Sequence, residues 1–369
     1  MHVRRTLSAV APLARAFSST RVVQKEKIAM IGSGNFGSAL TRILGSNALA
    51  HDAFEDEVKM WVFEEEWQGG KLTDAINAEN ENVKYLAGAK FTPNVVATPD
   101  LADAVSDATM LAFCLPHQFL KPSLGTIRDG VAGRNVKGLS AIKGIDFDEN
   151  GLVLISDLIR NDVGIDTSIL MGANVANEMA SDAFCETTIG FSDQTNGDLW
   201  KLAFNCPSFQ VGLVQDTVGV ELCGALKNIV AIGAGFCDGL GYGGNTKAAI
   251  IRIGLKEMIK FCKTFYGGIS DDTFLESCGV ADLITTCFGG RNRLCADAYA
   301  AAGGSKTLEE IEAELLAGQK LQGTLTAKEV NHVLKMKGLE HEFPLFTAVY
   351  KIAYEGQDLH SITTTDYDV

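Results

Sequence analysis

The sequence predicts an α/β chain. A Rossmann-like N-terminal region with a parallel-rich sheet is followed by an all-α C-terminal region. Three observations carry this reading. A glycine-rich turn, GSGNFG at 32–37, lies between an apolar strand and a helical pattern. Strand-like and helix-like stretches then alternate, with few charges in the strands, as in a sheet covered on both faces. From Asp216 onward helical periods dominate.

In order along the chain, KIAMI (Lys27–Ile31) is a strand and GSGNFGSALTRIL a turn running into a helix. EVKMWVFEEE is a second strand ending in acids, and NVVATPDLADAVSDATMLAFCLP reads as strand, helix, strand. VKGLSAIKGI gives a strand and a polar turn, and TSILMGANVANEMA repeats that pattern. Helical periods follow at Thr217–Cys237, Asn245–Phe265, Ser270–Cys287, Leu308–Ala317, Thr324–Lys337 and Phe343–Tyr354. These spans divide the chain into a basic leader at 1–25, a nucleotide-binding unit at 26–215 and a helical unit at 216–369.

With 369 residues, 46% of them hydrophobic, the chain is long enough for two cores. A net charge of −14 argues against nucleic acid as a partner, yet leaves room for a local Lys/Arg cluster that holds a small anion. The nine cysteines form no CxxC pair and sit among apolar neighbours, so they read as buried reduced thiols. The six histidines show no ligand spacing, and no metal is expected. The leader carries Arg4, Arg5, Arg15, Arg21 and Lys25, with no acid before Glu26; Leu7, Val10, Leu13 and Ala14 can share a helical face. That is the pattern of an organelle transit peptide, with a mitochondrial-type cleavage site near Arg15–Ser18. The expected address is the mitochondrion, with cytosol or plastid as alternatives.

Gly32, Gly34 and Gly37 fit G-x-G-x-x-G in its confirming context, after a strand and opening a helix. The first glycine allows a tight turn, the second lets backbone approach a pyrophosphate, and the third lets helix and strand pack closely. The helix N-terminus offers N–H groups to the anion. Glu64, flanked by Glu65 and Glu66, is the acid placed to meet the adenosine ribose. Three acids there repel a 2′-phosphate, which favours NAD(H) over NADP(H). Phe63 either covers an adenine face or belongs to the core.

Thr217–Cys237 holds only two charged residues, Glu221 and Lys227. Its length alone would suit a membrane span. Lys227 beside Asn228, amid glycines and alanines, instead indicates a buried helix at a domain junction, and no span is expected. A buried lysine is costly unless paired, and burial lowers its pKa toward the range useful for acid–base work. The alternative is a lysine that snorkels to the surface. Lys143 follows a predicted strand, where ligands of open α/β sheets gather, or else lies in a surface turn. ADLITTCFGGRNR (Ala281–Arg293) crowds Asp282, Thr285, Thr286, Arg291, Asn292 and Arg293 around two glycines, a candidate phosphate site. GQKLQG (Gly318–Gly323) reads as a turn or a mobile loop, and Gly233–Lys247 as an interhelical loop with Asn245 as a possible cap.

Taken together, GSGNFGSA, MWVFEE, PHQF, IKGI, GANVANE, FCETTIG, VELCGALKNIVAIGAGFCDGL, NTKAAIIRIGL, FLESCGVADLITTCFGGRNR and GQKLQG closely resemble eukaryotic NAD-dependent glycerol-3-phosphate dehydrogenases. The resemblance implies NAD as cofactor, sn-glycerol 3-phosphate and dihydroxyacetone phosphate as substrates, and a homodimer. It implies an NAD loop at Gly32, Ser33, Gly34, Asn35, Phe36 and Gly37, with further NAD contacts at Phe63, Phe119, Ala176, Arg291, Lys320 and Gln322. Lys227 matches the proton donor/acceptor. Lys143 matches the substrate lysine, Asn174, Asn228, Asp282 and Thr286 match active-site polar residues, and Arg291 with Asn292 the substrate-phosphate site. Phe36 stands where animal members often carry Trp, and cytosolic members lack the basic extension. Two alternatives to this activity are another two-domain hydroxy-acid or sugar-acid dehydrogenase and a non-catalytic NADH sensor.

Overall fold

The computed structural model describes residues 25–148, 151–303, 305–316 and 321–367. Eight strands make its main sheet: Glu26–Ile31 (β1), Phe54–Trp61 (β2), Val95–Thr98 (β3), Met110–Phe113 (β4), Lys137–Ser140 (β5), Asp166–Met171 (β6), Cys185–Gly190 (β7) and Phe209–Val214 (β8). Their order is β8-β7-β6-β5-β4-β1-β2-β3. Every pairing is parallel except β6 with β7. The run β3-β2-β1-β4-β5-β6 is the order of a dinucleotide-binding sheet, and its direction of growth reverses beside β1.

Strand alternation explains the two-sided burial. In β1, Ile28 and Met30 enter one core, while Ala29 and Ile31 enter the core on the opposite face. In β4, Met110 and Ala112 likewise face away from Leu111 and Phe113. Helix Asn35–Ala50 (α1) packs on the first face. Helices Leu120–Val131 and Ile155–Val163 (the latter α2) supply Leu124, Ile127 and Ile159 to the second.

The rest is helical and organised around Thr217–Gly239 (α3), whose apolar stretch is wholly buried inside the protein. Its neighbours include Gly244–Phe265 (α4), Asp282–Phe288 (α5), Gly290–Ala301 (α6), Gln322–Lys337 (α7) and Pro344–Tyr354 (α8). Small residues let these helices approach closely: a Cβ on Gly235 would stand 2.4 Å from the carbonyl oxygen of Arg293 on α6. The helical core also takes in Ile169 and Met171 of β6 and Ile145 and Leu154 from the preceding loops. The sheet and the helices therefore share one apolar cluster.

Several sequence expectations are revised. The second strand ends at Trp61, before the acids. Strands β7 and β8, and the helix Gln194–Phe204 between them, carried no periodic signal strong enough to be assigned. The single helix expected over Ser270–Cys287 is three pieces: a 3₁₀ turn Asp272–Leu275, a π turn Ser277–Ala281 and α5. Glu276 is extended between the first two and breaks the helix. Asn245 does not cap α4, which begins one residue earlier, at Gly244, with Gly243 in the N-cap position and no side-chain cap. All nine cysteines are free, six of them buried.

Glu257 on α4 is buried, and its carboxylate accepts from the backbone N–H groups of Leu345 (2.7 Å) and Phe346 (2.9 Å) at the start of α8. Burial pushes its pKa up to about 7. Replacing Glu257 with Ala strands two buried donors, so urea unfolding is expected to show a loss of about 2 kcal/mol, with turnover at 25 °C unchanged.

Candidate active site

The glycine-rich loop follows β1 at the reversal of the sheet. Gly32 has φ +118°, and a Cβ there would lie 2.3 Å from the carbonyl oxygen of Cys114, which follows β4. Only glycine satisfies both conditions. A Cβ on Gly37 would stand 2.7 Å from the Gly32 carbonyl oxygen, so α1 packs tightly on the turn. Gly34 differs, because nothing lies within 4 Å of where its Cβ would be. It is exposed and forms the N-terminus of α1, which has neither a side-chain cap nor an acid in its first turn. The cradle is shaped for an anion.

This loop forms one end of a cleft of about 530 Å³ lined by Gly32, Ser33, Gly34, Phe63, Glu65, Tyr85, Pro116 and Phe119, among others. Phe63 is 70% exposed and Phe119 54%, so both are cleft aromatics rather than core residues. Ser33 is buried, and its carbonyl accepts from Asn82 Nδ2 (2.7 Å) and Ser38 Oγ (3.2 Å), which fixes the turn. Asn35 donates to the carbonyl oxygen of Tyr85 (2.7 Å) and to Asn177 Oδ1 (3.1 Å), next to Ala176 at the start of a short helix. Glu64 departs from expectation. Its carboxylate turns away to accept from the N–H (3.2 Å) and hydroxyl of Thr73. Glu65 lines the cleft instead, bound to the Lys84 ammonium and the Tyr85 hydroxyl.

The polar residues gather where α3, α5 and the ends of β5 and β6 meet. Lys227 is 4% exposed and forms an ion pair with Asp282 Oδ1. Lys143 approaches the other oxygen of Asp282, Oδ2, at 3.7 Å, and donates to the carbonyl oxygen of Gly172 at 3.3 Å. One buried carboxylate thus stands between two ammonium groups. Burial lowers the pKa of Lys227 to about 8; Asp282 opposes that shift, and the charge of Lys143 adds to it. Asp282 Oδ2 is buried and has no hydrogen-bond partner among the described residues. Thr286, one turn on, donates to the Asp282 carbonyl (2.6 Å) and reaches Oδ1 at 3.4 Å.

Asn228 and Asn292 are tied to each other. Asn292 Nδ2 donates to Asn228 Oδ1 (2.9 Å), and Asn292 Oδ1 accepts from the N–H of Gly323 (2.8 Å). The Asn292 side chain is therefore engaged within the protein, and Gln322, the first residue of α7, is held beside it. Arg291 is exposed in the first turn of α6, which contains no acid. Arg293, part of the same sequence cluster, belongs elsewhere: it donates to Asp238 (2.6 Å) and pairs with Asp297 (2.9 Å). Asn174 donates to the Glu186 carbonyl (2.9 Å), leaving its buried Oδ1 without a partner among the described residues. Lys320 lies outside the described residues.

Sequence reasoning missed the contact of Phe36 with Lys143. The lysine Nζ stands 5.5 Å from the ring centre, joining the nucleotide loop to the lysine pair. No spacing rule announces a contact between residues so far apart in sequence.

A reversing parallel sheet with an anion cradle, joined to a helical region through a buried lysine–carboxylate pair that a second lysine approaches, defines a two-part nucleotide-dependent dehydrogenase. The comparisons with known proteins narrow this class. The model of the NAD-dependent glycerol-3-phosphate dehydrogenase N-terminus matches residues 27–197 and that of its C-terminus residues 216–364. The cytoplasmic glycerol-3-phosphate dehydrogenase [NAD(+)] of Rattus norvegicus is 56% identical over 338 residues, covering 90% of this chain and 95% of that protein. Its counterpart of the same name in Homo sapiens is 55% identical over 336 residues, with the same coverage of both chains. A glycerol-3-phosphate dehydrogenase structure from Plasmodium falciparum, 42% identical, superposes with a TM-score of 0.89 over 92% of this chain and 94% of its own. The chain belongs to the NAD-dependent glycerol-3-phosphate dehydrogenase family. The mitochondrial address is corrected by the same findings: both curated relatives are named cytoplasmic, which points to the cytosol. The leader on which that expectation rested lies, up to residue 24, outside the described residues.

The two glycine environments give a paired prediction. Gly34→Ala places a methyl group in the open cradle, so NADH affinity should fall at least tenfold in fluorescence titration while stability stays within about 0.5 kcal/mol. Gly32→Ala should instead cost more than about 2 kcal/mol in urea unfolding, from strain and the Cys114 clash.

Proposed function

We propose that the chain interconverts sn-glycerol 3-phosphate and dihydroxyacetone phosphate, with NAD as coenzyme and Lys227 as general acid and base. The observation that carries this reading is the buried Asp282–Lys227 pair, approached by the half-buried Lys143, in a chain whose glycine loop forms an anion cradle. Bound NAD supplies the hydride chemistry. Gly32, Ser33, Gly34, Asn35, Phe36 and Gly37 would hold its pyrophosphate, and Phe63, Phe119 and Ala176 would contribute to holding the rest of it. Arg291 and Gln322 would contact the dinucleotide from the helical side.

In the oxidative direction Lys227 Nζ, neutral above its pKa, takes the proton of the C2 hydroxyl. In the reductive direction its ammonium form returns that proton to the carbonyl oxygen. Lys143 polarises the same oxygen, and its charge helps hold Lys227 near neutrality. Asp282 keeps two like charges in one pocket and fixes the Lys227 amine through a direct ion pair. Thr286 secures the backbone carbonyl of Asp282. Arg291 and the N-terminal backbone of α6 at Asn292 hold the substrate phosphate, whose binding energy orients the reacting carbon. Asn228 supports that turn through Asn292, and Asn174, packed against the Gly172 segment that holds Lys143, forms part of the substrate pocket.

In this reading residues 26–215 are the nucleotide domain and 216–369 the substrate and dimerisation domain of a cytosolic homodimer. The exposed apolar side chains of Ile284 and Phe288 on α5 and Leu294 on α6 support a dimer face.

Lys227→Ala should lower kcat for NADH-dependent dihydroxyacetone phosphate reduction by at least 10³ and leave NADH binding within threefold; near-normal turnover rejects the role. The pH dependence has a definite sign. Reduction needs the ammonium form, so its kcat should fall as pH rises through about 8, whereas oxidation should rise through the same midpoint. Asp282→Asn removes the charge that favours ammonium, so the midpoint in that variant should move to lower pH.

A further inference from the structure

We infer that Glu221 is a positioning residue that locks the helix carrying Lys227 to the segment that follows Lys143. Glu221 lies on α3, is 1% exposed and takes no part in the proposed chemistry. Its Oε1 accepts from the N–H of Ile155 at 2.6 Å and from that of Ser156 at 3.3 Å. Its Oε2 accepts from the Ser156 hydroxyl at 2.6 Å and from the Ser156 N–H at 3.4 Å. These donors form the first turn of α2, whose N-cap residue is Leu154, a side chain with no acceptor. The cap comes from a distant helix because the sequence supplies none locally.

A serine at position 154 could cap the Ser156 N–H from within the same segment, whereas burying a carboxylate for the purpose is expensive. The arrangement in place does something a local cap cannot, because it joins two elements. One is α3, where Lys227 follows six residues after Glu221, about 9 Å along a rigid, fully buried helix at 1.5 Å per residue. The other comprises the start of α2 and the turn that holds Lys143, which share one apolar cluster through Ile155 and Ile142. Asp282 bridges the two lysines at one end of this frame, and Glu221 bridges their supporting elements at the other. The Lys143–Lys227 spacing is thereby held from two points. Other ionisable groups facing Glu221 are Asp157 on α2 and Tyr266 after α4.

This inference rests on the proposed role of Lys227, and its test separates the two. Glu221→Gln keeps the volume but turns an amide nitrogen toward the α2 donors. With dihydroxyacetone phosphate and NADH, its kcat should fall at least tenfold, its KM should change less than threefold and NADH affinity less than twofold. The midpoint of its kcat–pH profile should move above that of the wild type, because Lys143 is no longer held where it lowers the Lys227 pKa. Ser156→Ala, which removes only the hydroxyl donor, should shift both readouts the same way by a smaller amount. A Glu221→Gln variant that melts earlier yet keeps wild-type kcat and midpoint overturns the inference and leaves Glu221 a plain helix cap. Should Glu221→Gln fail to fold, an unchanged midpoint in Ser156→Ala overturns it equally. Lys227→Ala run alongside identifies which claim fails: if that variant turns over normally, the Lys227 role is wrong; if it is inactive while Glu221→Gln is normal, only the positioning role is wrong.

Discussion

The ion pair between Lys227 and Asp282 is the interaction on which the rest of the site depends. An ammonium group taken out of water carries a penalty of several kcal/mol unless a partner compensates it. The carboxylate supplies that compensation and stops short of fixing the lysine in its charged form, because Lys143 pulls on the same carboxylate and repels the same ammonium. A lysine poised near pH 8 is the balance of these three effects. Removing any one of them moves the balance in a direction given by its charge.

That balance needs a protein arranged around it. Asp282 opens a short helix directly after a segment wound as a π turn, and such turns recur at functional sites. The π turn is held in turn by Ser277, whose hydroxyl donates to the Glu186 carbonyl at 2.6 Å, the acceptor that also holds Asn174. On the helical side, Asn228 and Asn292 link α3 to the start of α6, and Gly323 closes the chain to α7. The polar groups of the site therefore orient one another, and packing of apolar helices orients the set.

Much of this was legible in the residues. Alternating strands and helices gave the sheet, and the glycine spacing gave its turn. A lysine in an otherwise apolar helix stood out because its burial needs a reason. What escaped had no local signal. The fate of Glu64 was decided by Thr73, nine positions on, and Arg293 was drawn off by Asp238 on another helix, so counting charges in a short stretch assigned both to the wrong task. Strands β7 and β8 are as long as β1 but interleave polar residues or glycine with apolar ones (CETTIG, FQVGLV), so their own pattern is weak. The break at Glu276 follows from tertiary contacts that override a helical period.

The shared apolar cluster has a consequence for how the chain holds together. Ile169 and Met171 of the sheet are buried against α3, and Gly224 of that helix admits the Met171 sulfur where a Cβ would stand 2.6 Å from it. Neither half can present a finished surface without the other. Severing the chain after residue 215 would strip this side of the sheet and leave α3 with its long apolar flank in water. The two halves are consequently not interchangeable modules. One apolar cluster couples them, and a different substrate region could replace the helical half only if it brought a helix with the same gap opposite Met171.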